Sequence, residues 1–259
     1  MAKKIVITSG KGGVGKTTIV CNLGLELSKN GYRVMLLDGD IGLNNLDVLA
    51  CVENKIVFDL YDVATCKCRA KQALVESPLN NNLFILPCTK TLSGVEISAQ
   101  KLKDIIRELD SLFDYILIDC PAGIELGFHR AVSIADEAYI VVTPQIISVR
   151  DANKVLGILK SYNLSSVKLI VNRIRGDLVI SNEMYSAKEI SETLKVPLLG
   201  VIPEDDEMLK GIIERSSPAE KSFKIVAKNV KGNTSRVYDY LKKYSGFSGS
   251  IRRELRKKI

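Results

Sequence analysis

The chain has 259 residues, 46% hydrophobic and 26% charged, a balance suited to one large α/β domain with a substantial core. No run of about 18 apolar residues occurs, so no membrane-crossing helix is expected. The few apolar residues behind the N-terminal lysines also fall short of a secretion signal. The net charge of +7 is concentrated at one end: residues 242–259 hold seven bases and one acid, while 1–241 hold 30 bases and 29 acids, which weighs against a broad nucleic-acid surface on the body.

In chain order, KIVIT (4–8) reads as a strand, followed by a glycine-rich loop and a helix running to about Ser28, with Asn30-Gly31 as its C-cap. VMLLD (34–38), LFILP (83–87), YILID (115–119), AYIVV (138–142), KLIVN (168–172) and LLGVI (198–202) read as further strands. Most are continuous apolar runs, as strands covered on both faces require. Helical segments between them make βαβ units, so the expected fold is α/β, a single-domain doubly wound and mostly parallel sheet. A last helical stretch is read over roughly 219–244, with a break at Ser245-Gly246. Beyond it Phe247, Ile251, Leu255 and Ile259 recur every four residues, among Arg252, Arg253, Arg256 and Lys257. That pattern is a short basic amphipathic helix, marginal alone in water. The expected division is therefore 1–245 as the folded domain and 246–259 as a membrane-targeting tail.

Gly10-x-x-x-x-Gly15-Lys16-Thr17, between a strand and a helix, matches the phosphate-binding loop of P-loop NTPases. Backbone amides of Gly10, Lys11, Gly12, Gly13, Val14 and Gly15 can curl around phosphates, and the helix N-terminus adds partial positive charge. Lys16 is expected on the β- and γ-phosphates, and Thr17, beside Thr18, offers a hydroxyl to Mg²⁺. LLDGD puts Asp38 at the end of one strand and Asp40 just beyond it. YILID puts Asp119 at the end of another, reading as the Mg²⁺-holding aspartate. Asp40 is the candidate for positioning or deprotonating the attacking water, with Asp38 supporting it. These residues predict a nucleoside triphosphate and Mg²⁺ as ligands.

The six cysteines lie far apart, mostly in apolar segments, and the default reading is buried, reduced thiols. Cys66-Lys67-Cys68 is close-spaced but lacks the second pair that a zinc site needs. His129, the sole histidine, has no recognisable catalytic partner and reads as structural.

KGGVGKTT, LLDGDIGLNNLD and LIDCPAGIE together resemble the deviant Walker A ATPases, most closely the MinD septum-site-determining branch. The likeness continues through TPQIISVRDANKVLGIL and GVIPEDDEML. It implies that Lys11 is a signature lysine, reaching the phosphates of a facing subunit, so that ATP joins a homodimer. It also implies that Asn172 and Arg173 lie at the adenine, with the backbone from Pro203 to Asp205 closing that pocket, and that Glu125 lies between phosphate and dimer face. The resemblance makes the expected cofactors ATP and Mg²⁺ and the expected activity Mg²⁺-dependent ATP hydrolysis, slow and partner-stimulated. The expected setting is the cytoplasm and the inner face of the cell membrane, on anionic lipids. The expected partners are a MinC-like division inhibitor and a MinE-like or other topological regulator, with DNA an unlikely one. FlhG-like control of flagellar number and ParA-type DNA partition are the alternative readings. The tail departs from the family pattern, since Ser248, Gly249, Ser250 and Glu254 dilute its apolar face.

Overall fold

The computed structural model describes residues 1–39, 45–88, 97–213, 217–232, 234–246 and 249. The strands are β1 (Lys3–Thr8), β2 (Val34–Asp38), β3 (Val75–Glu76), β4 (Leu83–Leu86), β5 (Tyr115–Asp119), β6 (Glu137–Val142), β7 (Ser166–Ile174) and β8 (Leu198–Pro203). The helices are α1 (Lys16–Lys29), α2 (Leu46–Leu49), α3 (Leu60–Ala64), α4 (Ala99–Leu109), α5 (Leu126–Ser133), α6 (Ile146–Leu159), α7 (Gly176–Ile180), α8 (Ala187–Leu194) and α9 (Pro218–Val230).

The strands form one sheet in the order β3-β4-β2-β5-β1-β6-β7-β8. Every neighbouring pair is parallel except β3 with β4. Alternate residues of one strand feed opposite cores, which is why these strands read as unbroken apolar runs. Val6, Ile116, Ile118 and Ile140 join the core under α4, α5, α6 and α8. Ile5, Ile7, Leu117 and Val141 join the core under α1 and α9. The result is the doubly wound sheet expected from the strand–helix alternation, with β1 central and its carboxyl end opening onto the glycine loop.

Two details depart from the sequence reading. The antiparallel edge strand β3 is only two residues long, too short to leave a periodic signal, and its turn is built by Ser77, whose hydroxyl donates to Ala50 O at 2.8 Å. The helix expected over 219–244 stops at Val230, after starting at a Ser217 cap with Pro218 in its first position. Gly232 then takes φ +81°, and Asn229 Nδ2 donates to Leu199 O at 2.7 Å and Arg236 O at 2.6 Å, turning the chain back along the sheet edge. Apolar and aromatic side chains in 237–244 imitate helical spacing while serving a strap whose only helical part is the single 3₁₀ turn Lys242–Tyr244. The Tyr240 hydroxyl accepts from Ala187 N at 3.3 Å, and the strap crosses so close to α7 that a β-carbon on Gly176 would lie 2.0 Å from Tyr240 O.

The candidate nucleotide site

The glycine loop follows β1 without a break and is shaped by its own bonds. Ser9 Oγ donates to Lys11 O at 2.7 Å, and Gly15, at φ +94°, turns the chain into α1, whose first bond runs from Ile19 N to Gly15 O. Gly10 rests on the backbone of α6: a β-carbon there would sit 2.2 Å from the carbonyl carbon of Asp151. Gly12 and Gly13 are exposed at the loop's crest, Val14 is buried beneath it, and Lys16 is 8% exposed at the head of α1. Thr17 and Thr18 are half-buried.

A side chain from the other half of the sheet closes the loop. Asn172, in β7 and 1% exposed, donates from Nδ2 to Val14 O at 2.8 Å. Its Oδ1 is buried and, among the described residues, has no hydrogen-bond partner. Next to it Arg173 is exposed in a left-handed conformation, φ +58°. Pro203 ends β8 beside this strand, and Glu204 N donates to Ile174 O at 3.0 Å. A cavity of about 620 Å³ opens there, lined by Arg175, Pro203, Glu204 and Asp205 and by Tyr238 and Tyr240 of the strap.

On the other side of β1 lie two buried carboxylates. Asp38 and Asp119 end β2 and β5 and are register partners across that pair. Gly39 follows Asp38 because the backbone of Asp119 leaves no room for a side chain, and its N–H donates to Asp119 O at 2.9 Å. Asp40 lies outside the described residues, as do Phe247, Ile251, Leu255 and Ile259.

Lys11 turns away from the loop floor, with Nζ 3.3 Å from Oε1 of Gln145 at the start of α6. Beside Gln145, Ile146 and Ile147 are 67% and 62% exposed, and at the start of α5, on the same edge of the sheet, Leu126 is 70% exposed and Ile124 is exposed with it. Glu125 is exposed at the N-cap of α5. Neither this apolar rim nor the Asn172–Val14 bond is legible in the sequence. Isoleucines at a helix start read as ordinary core residues, and the likeness that puts Asn172 at the adenine says nothing of a bond to the loop.

The buried-thiol expectation holds for Cys21, Cys88 and Cys120 but not for Cys51 and Cys66, which are exposed, nor for half-buried Cys68. In α1 behind the loop, burial first, then Cys51 and Asp119, push the Cys21 thiol up to about 12, so it stays protonated. His129 packs against Tyr162, its Nδ1 bonded to the phenol oxygen. Among the described residues no group of three or more histidine, cysteine or acidic side chains is placed to hold a metal by itself.

An AAA domain family matches residues 2–173. The septum site-determining protein MinD of Synechocystis is 40% identical over 263 aligned residues, covering 98% of this chain and 99% of that protein. Among solved structures, the Aquifex aeolicus MinC:MinD cell division complex superposes with TM-score 0.83 at 40% identity, over 90% of this chain and 97% of that one. The Pyrococcus horikoshii MinD complexed with Mg-ADP superposes with TM-score 0.79 at 32% identity, over 89% and 96%.

Proposed function

The chain belongs to the MinD family of septum-site-determining ATPases, and from that premise we propose that it pairs on ATP, attaches to the inner face of the cell membrane and helps place the division septum by recruiting a MinC-like inhibitor. The observation that carries this reading is the closed phosphate loop, braced by Asn172 on one side and faced by Asp38 and Asp119 on the other.

The residues fit ATP. The loop amides and Lys16 suit the phosphates, and the partnerless Oδ1 of Asn172 suits a hydrogen bond from an exocyclic amino group such as adenine's. Arg173 and Pro203 flank that position. Thr17, Asp119 and Asp40 would hold Mg²⁺, directly or through water. When bound, the ion neutralises charge on the transferring phosphoryl group. Asp38 and Asp40 are assigned to orienting the attacking water, a placement that the last position of β2 supports.

Lys11 is assigned to the facing protomer's phosphates. The rim around it suggests why nucleotide is needed for pairing. Burying four large aliphatic side chains yields roughly 1.5–3 kcal/mol each, while association costs about 4–15 kcal/mol in lost freedom. The rim alone is close to balance, and a cation on the partner's phosphates tips it. Glu125 lies between the rim residues Ile124 and Leu126, placed to be covered by the same contact. Residues 246–259 are assigned to anionic lipid: one weakly apolar, basic tail binds loosely, and two on a dimer bind together. The Aquifex aeolicus relative, solved with MinC, supports the choice of partner, and a MinE-like or other regulator would stimulate the slow hydrolysis.

Light scattering tests the central step. Full-length protein should be monomeric with ADP and dimeric with ATP, the dimer persisting in Asp40→Ala. A monomer under all conditions would refute the reading.

A further inference from the structure

Two cysteines that the nucleotide site leaves unused line one cavity of about 470 Å³ between the turn after α3 and α4, with Arg69, Lys101, Asp104 and Glu108 around them. α3 ends in a Schellman motif, with Cys66 N donating to Val63 O at 3.0 Å and Lys67 N to Asp62 O at 2.9 Å. Cys66 therefore occupies the left-handed position, φ +62°, which glycine fills freely and a residue with a β-carbon fills under steric strain. That turn holds the Cys66 sulfur out at the cavity, where Cys68 also lies. The Cys66 sulfur also receives a hydrogen bond from Lys101 Nζ at 3.7 Å. Lys67 is drawn off to Asp62, at 3.0 Å, so Lys101 is the cation bonded to Cys66.

We propose that Cys66 and Cys68 form a reversible thiol–disulfide site in which a hydroperoxide oxidises Cys66 and Cys68 closes onto it. In the first step the Cys66 sulfur attacks the terminal peroxide oxygen. The O–O bond breaks, the alcohol (water, for hydrogen peroxide) leaves with the thiol proton, and Cys66 becomes a sulfenic acid. In the second, the Cys68 sulfur attacks the Cys66 sulfur. The S–S bond forms, the S–O bond breaks, and the hydroxyl leaves as water with the Cys68 proton. Lys101 is the positioning residue, holding the Cys66 sulfur and placing a positive charge where electron density gathers. Burial first, then the charges of Asp62 and Asp59, push the Cys68 thiol up against the opposing pull of Lys67. Cys66, exposed and hydrogen-bonded by Lys101, is the first to react, and the half-buried Cys68 is the resolving partner. The site is independent of the nucleotide reading.

The test uses the reduced full-length protein, treated with hydrogen peroxide, alkylated and mapped by mass spectrometry. The peptide holding Cys66 and Cys68 should lose two hydrogens and recover them with dithiothreitol. Cys51 is the internal control, because it too is exposed and left-handed, φ +57°, and should react more slowly. Cys68→Ser should accumulate sulfenic acid at Cys66, trapped by dimedone. Lys101→Met should slow oxidation of Cys66 by roughly fivefold, the upper range for an exposed charge contact, with Cys51 unchanged and the melting temperature confirming the fold. Cys66 oxidised without a bond to Cys68, or Cys51 and Cys66 reacting alike with no effect of Lys101→Met, would overturn the proposal.

Discussion

Asn172 and Val14, 158 residues apart in the chain, are joined by a 2.8 Å hydrogen bond that ties the phosphate loop to β7. The bond sits in a buried place, so removing one partner leaves Val14 O without its donor. Asn172→Ala should cost about 1–3 kcal/mol of folding stability. ATP affinity should fall by at least about tenfold, a drop readable by calorimetry. Asn172→Asp removes the donor but keeps the volume, and should show most of the same loss. Unchanged nucleotide affinity in both variants would separate this residue from the base.

Lys11 reaches Gln145 of its own chain rather than its own loop floor. Lys11→Ala should therefore leave ADP binding by the monomer nearly intact while abolishing the ATP-dependent dimer. Equilibrium binding of a fluorescent nucleotide beside light scattering checks both halves. A dimer that survives the substitution would remove Lys11 from the interface.

Residues 247–259 should be needed for membrane attachment but not for hydrolysis. Pelleting with anionic liposomes should require ATP in the full-length protein and disappear on truncation, and should weaken as salt screens the basic side chains. Equal pelleting of the truncated form would place the lipid contact elsewhere.

Glu137 sits at the amino end of β6, bonded by Lys3 at 2.9 Å and by the Tyr139 hydroxyl at 2.9 Å, with Lys168 at 3.9 Å. Burial alone would raise its carboxyl. The Lys3 and Tyr139 hydrogen bonds and the charges of Lys3 and Lys168 outweigh it and hold the carboxyl below its ordinary value of 4.5. A folded-state value below the unfolded one means stability that is complete above about pH 4.5 and lost as the pH falls through the lower folded value. Melting temperature should thus fall on acidification more steeply in the native protein than in Glu137→Gln, which has no carboxyl to protonate there. Parallel acid limbs would assign the acid sensitivity to other groups.

The features legible in the sequence are those set by local chemistry. Strands buried on both faces announce themselves as apolar runs, and β2 and β5 keep the bounds read from VMLLD and YILID. The loop is visible because its glycines and lysine must fall at fixed spacing. What was not legible depends on long-range contact. Tyr240 and Tyr244 fall at helical spacing yet belong to a strap, because Gly232 and the Asn229 side chain redirect the chain after Val230. The close spacing of Cys66 and Cys68 is plain in the sequence, whereas the left-handed turn at the end of α3 and the contact with Lys101 are not. The rim of Ile124, Leu126, Ile146 and Ile147 gathers the starts of α5 and α6, which follow β5 and β6 at the same edge of the sheet on either side of β1.

Gly10 lies on the backbone of α6 with no side chain between them. A soft side chain would absorb small displacements, whereas backbone against backbone passes them on. The phosphate loop and the helix that follows Gln145 and carries Ile146 and Ile147 are consequently packed so that a shift of one would be passed to the other, and with it to the surface those side chains form.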